Sequence, residues 1–405
     1  MISPGLIRES VPLLAAILDE GRPADQLLAA HCRARPALGS RERGFLGELL
    51  HDLLRQRRLL DPSLAARPER LLATALAHFQ QWPEDRIVAT LGCSPLAVAP
   101  ALHPAVAHSL PDWLWSALEA SWGRNEATDL AAALNRPAPV DLRVNLAVTT
   151  REAVLEQLRQ AGIAAEPIAL APAGLRLERR QPLGGLEAFR CGHLEIQDAG
   201  SQSIAPLLEP RPGETLVDLC AGGGGKSLHL AALMGDRGRI IATDTDPKRL
   251  AGLRPRLRRA GLRSVSLLSI RHEGDPKLRS LAGQAHGVLV DAPCSGTGTL
   301  RRHPDLKWRL EPHQIDTLHL RQSALLAAGA RLVRPGGRLL YATCSLLARE
   351  NQAVVEAFLR ENPRFILRPL APLPGDAAPA TPYRMLTPHR HGTDGFFAAL
   401  LQRRG

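Results

Sequence analysis

Two thiols stand out as groups able to do covalent chemistry. Cys294 lies in Asp291-Ala-Pro-Cys-Ser-Gly-Thr-Gly298 and Cys344 in Tyr341-Ala-Thr-Cys-Ser345. Each follows a short apolar run, Gly287-Val-Leu-Val290 and Gly337-Arg-Leu-Leu340, of the kind that forms a buried parallel strand. Open α/β sheets bind ligands at the carboxyl ends of their strands, so both thiols are expected at one sheet edge, facing one substrate. That placement suits a thiolate nucleophile better than a structural crosslink. Cys32, Cys93, Cys191 and Cys220 read as small packing residues. No Cys-x-x-Cys pair occurs and the 14 histidines have no ligand spacing, so neither a disulfide framework nor a metal is expected.

A glycine turn supplies the second constellation. Asp218-Leu-Cys-Ala-Gly-Gly-Gly-Gly-Lys-Ser227 resembles a phosphate-cradling loop, but the first glycine that such a loop requires falls on Cys220. What remains is strand, carboxylate, glycine turn and helix, where backbone approaches a ligand closely because no Cβ intrudes. Asp244 closes the next strand 26 residues after Asp218, near the spacing of a carboxylate that grips ribose hydroxyls. A ribose grip without a phosphate cradle favours a nucleoside cofactor lacking pyrophosphate, such as S-adenosylmethionine.

The elements that would carry these groups alternate from about residue 193 onward in the manner of βαβ units. Strands are expected at 215–218, 239–244, 265–268, 288–291, 338–341 and 396–401, with helices at 226–234 and 313–333 among them. A doubly wound, mostly parallel Rossmann-like sheet over 193–405 follows. Residues 137–192 read as a small α+β module that positions substrate, with strands at 140–145, 174–178 and 187–191 and a helix capped by Thr149. Residues 1–136 read as an all-helical domain, closed by the breaker Asn135-Arg-Pro-Ala-Pro139. Its segment 40–55, with Ser40 as N-cap, puts Phe45, Leu46, Leu49, Leu50, Leu53 and Leu54 on one face. Arg55, Arg57 and Arg58 extend the polar side as a candidate contact for a nucleic-acid backbone.

The net charge of +11 favours a polyanionic partner. Nearly all of the cations are arginine. The four lysines are Lys226, Lys248, Lys277 and Lys307, of which Lys226 follows the glycine turn and Lys307 stands in Pro304-Asp-Leu-Lys-Trp308. Compact ammonium groups are not interchangeable with guanidinium, which draws attention to both positions. No apolar stretch approaches a membrane span and no basic-then-apolar leader opens the chain, so a cytoplasmic protein with reduced thiols is expected.

Together these motifs, with Asp198-Ala-Gly-Ser-Gln202 and Gly392-Thr-Asp-Gly-Phe-Phe397, resemble the Sun family of RNA cytosine-C5 methyltransferases, in particular its bacterial Rsm B branch. The resemblance implies a class I methyltransferase domain behind an antiterminator-like RNA-binding domain. It implies methyl transfer from S-adenosylmethionine to C5 of a cytosine in small-subunit ribosomal RNA, by a monomer without metal or membrane attachment. A transfer-RNA cytosine methyltransferase and an inactive RNA-binding assembly factor stand as alternatives. By resemblance Cys344 is the nucleophile, Cys294 assists product release, Asp291 binds the cytosine edge and Lys226 lies on the substrate side. The opposite thiol assignment would follow from DNA cytosine methyltransferases. The cofactor is assigned to Asp218, to the turn Cys220, Ala221, Gly222, Gly223, Gly224 and Gly225, and to Lys226, Asp244, Arg249 and Asp291. Two departures are visible. The family's Cys-Ala-Ala-Pro-Gly-Gly-Lys-Thr has Gly222 and Gly223 here in place of Ala-Pro and Ser227 in place of Thr. The acidic residue that follows the third strand near the adenine is missing from Leu268-Ser-Ile-Arg271, with Asp275 displaced nearby.

Overall fold

In the segment Val140-Asp-Leu-Arg-Val144 apolar and polar residues alternate, and it forms strand β1 of a four-stranded antiparallel sheet. A computed structural model describes residues 2–98, 100, 103–373 and 379–405. The partners of β1 are β2 (Ala165–Pro167), β3 (Gly174–Leu177) and β4 (Leu194–Ile196), in the order β2-β3-β1-β4. Leu142 and Val144 pack with Leu175, Leu177 and Leu194. Asp141 and Arg143 point the other way and are buried as well. Asp141 accepts two bonds from Arg176, at 2.8 and 3.1 Å, while Arg143 donates to the Gly225 carbonyl at 3.1 Å. The polar half of the alternation is therefore a buried ionic face that reaches the glycine turn.

The large sheet follows from runs that are apolar on both sides. β5 (Thr215–Asp218), β6 (Arg239–Asp244), β7 (Val265–Ser269), β8 (Ala285–Asp291) and β9 (Val333–Thr343) pair in parallel in the order β9-β8-β5-β6-β7. Val217, Val288 and Leu339 pack into one apolar cluster, and their neighbours Leu216, Leu289 and Leu340 into another. Burial on both faces is why these strands read as continuous apolar runs. β10 (Phe365–Arg368) and β11 (Arg384–Leu386) pair antiparallel with β12 (Phe396–Arg403), which itself runs antiparallel to β9. The doubly wound, mostly parallel sheet expected from the sequence is the one that forms. Chain order reverses at β5, between β6 and β8, so the carboxyl ends of β5, β6, β8 and β9 frame a crevice.

Several local expectations differ from the structure. Residues 187–191 are not a strand: Glu187–Arg190 is a helical turn. Leu183, Leu186 and Phe189 all meet one apolar cluster, and their spacing of three is helical rather than period two. Thr150, not Thr149, caps the helix Arg151–Gln160 by accepting from the Ala153 amide at 3.2 Å. Gly39 occupies the N-cap of the helix Ser40–Leu60, and Glu42 accepts its amide at 2.9 Å, so Ser40 is already helical.

By contacts the chain divides into two compact units, Met1–Pro137 with Thr299–Pro312, and Ala138–Gly298 with His313–Gly405. The first is built of helices around a leucine-rich core that includes Leu46, Leu49, Leu50 and Leu53. Its inserted segment explains two residues that the sequence left ambiguous. Lys307 is buried and donates to the Arg55 carbonyl at 2.7 Å and to Asn135 Oδ1 at 3.0 Å, while Trp308 donates to the Leu54 carbonyl at 2.6 Å. Arg55, expected on a polar surface, is buried against Asp52 and the Arg301 carbonyl because the helix end is covered by this segment. Arg58 is paired with Asp112. Burial, and then the Arg55 charge, hold the Lys307 ammonium well below the ordinary lysine range.

Removing the buried amine leaves two acceptors unpaired and a cavity. Lys307→Ala should therefore cost about 3 kcal/mol in denaturant unfolding of the full chain. Unchanged stability with lost RNA affinity would instead mark Lys307 as a substrate contact.

Candidate active site

The site is assembled from four strand ends and the turns that follow them. β5 ends in Asp218, buried to 1% exposure. Its Oδ2 accepts from Ser227 Oγ at 2.6 Å, and its Oδ1 has no hydrogen-bond partner among the described residues. Burial raises this carboxyl to about 7, against the opposing pull of the Ser227 hydrogen bond. β6 ends in Asp244, whose Oδ2 accepts from the Gly222 amide and Oδ1 from the Asp246 amide, both at 2.7 Å. The turn between them depends on glycine at two points. Gly222 and Gly224 have φ of +54° and +78°, and a Cβ on Gly224 would collide with Leu253. The Arg249 guanidinium lies over Gly222, 2.8 Å from where a Cβ would stand. Cys220 packs against the sheet core, and burial pushes its thiol far above the ordinary range.

β8 ends in Asp291 and β9 in Thr343, and Asp291 is registered opposite Ala342. Lys226 Nζ is 2.6 Å from Asp291 Oδ2 and 5.1 Å from the Phe396 ring centroid. Burial works against the Lys226 ammonium, but the adjacent Asp291 charge and hydrogen bond outweigh it, so its pKa lies above the ordinary lysine value. Three residues beyond Asp291 the chain reaches Cys294, and one beyond Thr343 it reaches Cys344. Their sulfurs are 3.3 Å apart, both half-buried, in a non-bonded contact between free thiols. The contact with Cys344 and then burial hold the Cys294 thiol well above the usual range. Such a pair presents one thiol that resists ionisation beside another within electrostatic reach of the Lys226 ammonium.

Asp275 lies apart from this chemistry. It accepts from the amides of Arg271 and Lys277, at 2.8 and 3.0 Å, and so serves its own loop. Asp394 lies just before β12, which Phe396 opens, and the Asp394 amide donates to Asp198 Oδ2 at 3.1 Å. Glu350, Asn351 and Gln322 have no prominence in the sequence, yet the structure buries them behind the two cysteines. The only local signal was a polar Glu-Asn pair five residues beyond Ser345, at the start of an amphipathic helix.

A doubly wound sheet with a glycine turn after β5, a carboxylate closing β6 and no phosphate cradle defines a nucleoside-cofactor methyltransferase site. The chain belongs to the 16S rRNA methyltransferase RsmB/F family, which matches residues 205–402, with the ferredoxin-like domain of RsmF/B-like methyltransferases matching residues 110–184. A protein named Probable ribosomal RNA small subunit methyltransferase B, from Synechocystis sp., is 40% identical over 303 residues, which cover 73% of this chain and 67% of that protein. Ribosomal RNA small subunit methyltransferase B of Sodalis glossinidius is 36% identical, covering 75% and 68%. The crystal structure of PH0851 superposes with a TM-score of 0.84 at 29% identity, over 100% of this chain and 99% of that one. The family's cofactor is S-adenosylmethionine. The residues present suit it: a buried carboxylate oxygen without a partner fits an α-ammonium, and the Asp244 carboxylate retains lone pairs for ribose hydroxyls.

Proposed function

We propose that the protein transfers a methyl group to C5 of a cytosine in small-subunit ribosomal RNA through a covalent Cys344–C6 adduct. The observation that carries this reading is the 3.3 Å Cys294–Cys344 contact beside the 2.6 Å Lys226–Asp291 pair at adjacent strand ends. The ribosomal substrate is supported by the names of the relatives. Intact thiols, Asp291 and Lys226 disfavour an inactive assembly factor.

Bound S-adenosylmethionine supplies an electrophilic methyl group. Asp218 Oδ1 would hold its ammonium and Asp244 its ribose hydroxyls, with the backbone of Cys220–Gly225 and Arg249 completing the binding residues. Cytosine C5 is a weak nucleophile until a thiolate adds at C6. The Cys344 sulfur forms the C6–S bond, and the displaced electron pair makes C5 enamine-like. Asp291 accepts from the cytosine edge and Lys226 fixes that carboxylate. Once C5 carries the methyl group, a base removes the C5 proton. The C6–S bond then breaks with its electron pair returning to Cys344, and Cys294 assists this release. The base must leave its stack, which loops and single strands permit at small cost.

Cys294→Ala should accumulate an RNA–protein adduct on a denaturing gel, while Cys344→Ala should give neither adduct nor product; the reverse pattern exchanges the two roles. Bisulfite mapping of RNA from a strain lacking the gene should show one unmethylated cytosine in small-subunit ribosomal RNA, and loss of a transfer-RNA site would redirect the substrate.

The raised Asp218 carboxyl gives cofactor binding a pH dependence with a definite sign. A proton on Asp218 stabilises the ligand-free fold below the ordinary carboxylate range, and that contribution is lost as pH rises through about 7. The ammonium of the cofactor needs the ionised form. Calorimetric affinity for S-adenosylmethionine should therefore fall about tenfold for each pH unit below 7, and Asp218→Asn should bind weakly without that dependence. A flat profile in the wild-type protein would remove Asp218 from this role.

A further inference from the structure

Behind the two thiols lies a buried polar cluster that the proposed chemistry does not use. Glu350 is entirely buried, and among the described residues its carboxylate is bonded by neutral donors rather than by a cation. Four donors converge on it instead. Oε1 accepts from the Ser295 amide at 2.8 Å and from Gln322 Nε2 at 2.9 Å. Oε2 accepts from the hydroxyls of Ser295 and Ser345, each at 2.5 Å. Four donors on two oxygens is the full capacity of an ionised carboxylate. Ser295 follows Cys294 directly and Ser345 follows Cys344 directly, so one side chain joins both thiol loops.

The rest of the cluster fixes this clamp in place. Gln322 also donates to the Pro293 carbonyl at 3.0 Å, on the other flank of Cys294. The Glu350 carbonyl accepts from Tyr341 Oη at 2.6 Å, tying the clamp to the last turns of β9. Asn351 accepts from Thr343 Oγ1 at 2.6 Å and donates to the Ser345 carbonyl at 2.9 Å, bracketing Cys344. The sulfur-to-sulfur distance is thus set from behind by residues that touch neither sulfur.

We propose that Glu350 is the positioning residue of the thiol pair: its buried carboxylate, bonded to Ser295 and Ser345, holds the two cysteine loops together. The inference rests on the covalent reading above for its bearing on turnover, but the clamp itself is testable without RNA.

Glu350→Gln keeps an oxygen for the Ser295 amide and Gln322, and its amide can donate to the two hydroxyls, so the loops stay joined while the charge is lost. Glu350→Asp keeps the charge and shortens the reach. The test is the rate at which diamide closes a Cys294–Cys344 disulfide in full-length protein, quantified by mass spectrometry, together with turnover on RNA. Glu350→Gln should close it at the wild-type rate, whereas Glu350→Asp should close it about tenfold more slowly, with turnover about a hundredfold lower and KM nearly constant. A wild-type closure rate in folded Glu350→Asp overturns the clamp. If no RNA adduct forms in Cys294→Ala but closure is slowed in Glu350→Asp, the covalent reading fails and the clamp stands.

Discussion

The register of β8 against β9 is the constraint on which the site depends. Asp291 lies opposite Ala342, and from that pairing the two chains run into the loops that carry Cys294 and Cys344. A slip of one residue would move one loop about 3.3 Å along the sheet and turn its side chains to the other face. The pairing holds because both strands are buried on both faces, with Val288, Val290 and Leu339 in one core and Leu289 and Leu340 in the other. A slipped register would empty both cores at once. Core packing that has no chemical role therefore fixes a chemical distance.

The site combines charges whose burial is tolerated for different reasons. Lys226 and Asp291 stabilise each other across 2.6 Å, and Glu350 is satisfied by neutral donors. Asp218 keeps a buried carboxylate oxygen without a hydrogen-bond partner among the described residues. An unsatisfied buried carboxylate costs stability and is retained where a ligand completes it. The small sheet contributes on the same logic. Arg143 reaches across to the Gly225 carbonyl, so the module preceding the methyltransferase sheet steadies the glycine turn.

Much of this is legible in the sequence. Continuous apolar runs announced β5, β6, β8 and β9, and the failed phosphate loop at Cys220 with Asp244 pointed to the right cofactor. The thiols were legible because their residue types have few other uses at strand ends. What escaped notice depends on contacts distant in sequence. Lys307 meets Arg55 and Asn135, and nothing in Asp305-Leu-Lys-Trp308 records that a helical unit will close over it. Glu350 reads as an ordinary polar residue at a helix start until the Ser295 loop folds against it. Residues 187–191 were misread because a four-residue segment is too short for a helical spacing to separate from alternation.

In the proposed chemistry Cys344 activates cytosine C5 by adding at C6, so methylation must expel the C5 hydrogen. The most direct measurement uses ribosomal RNA tritiated at cytosine C5 and follows tritium released to water alongside methyl incorporation. One tritium should be released per methyl group transferred, with neither event in Cys344→Ala. Methyl incorporation with the tritium retained would place the methyl group on another atom and contradict this chemistry.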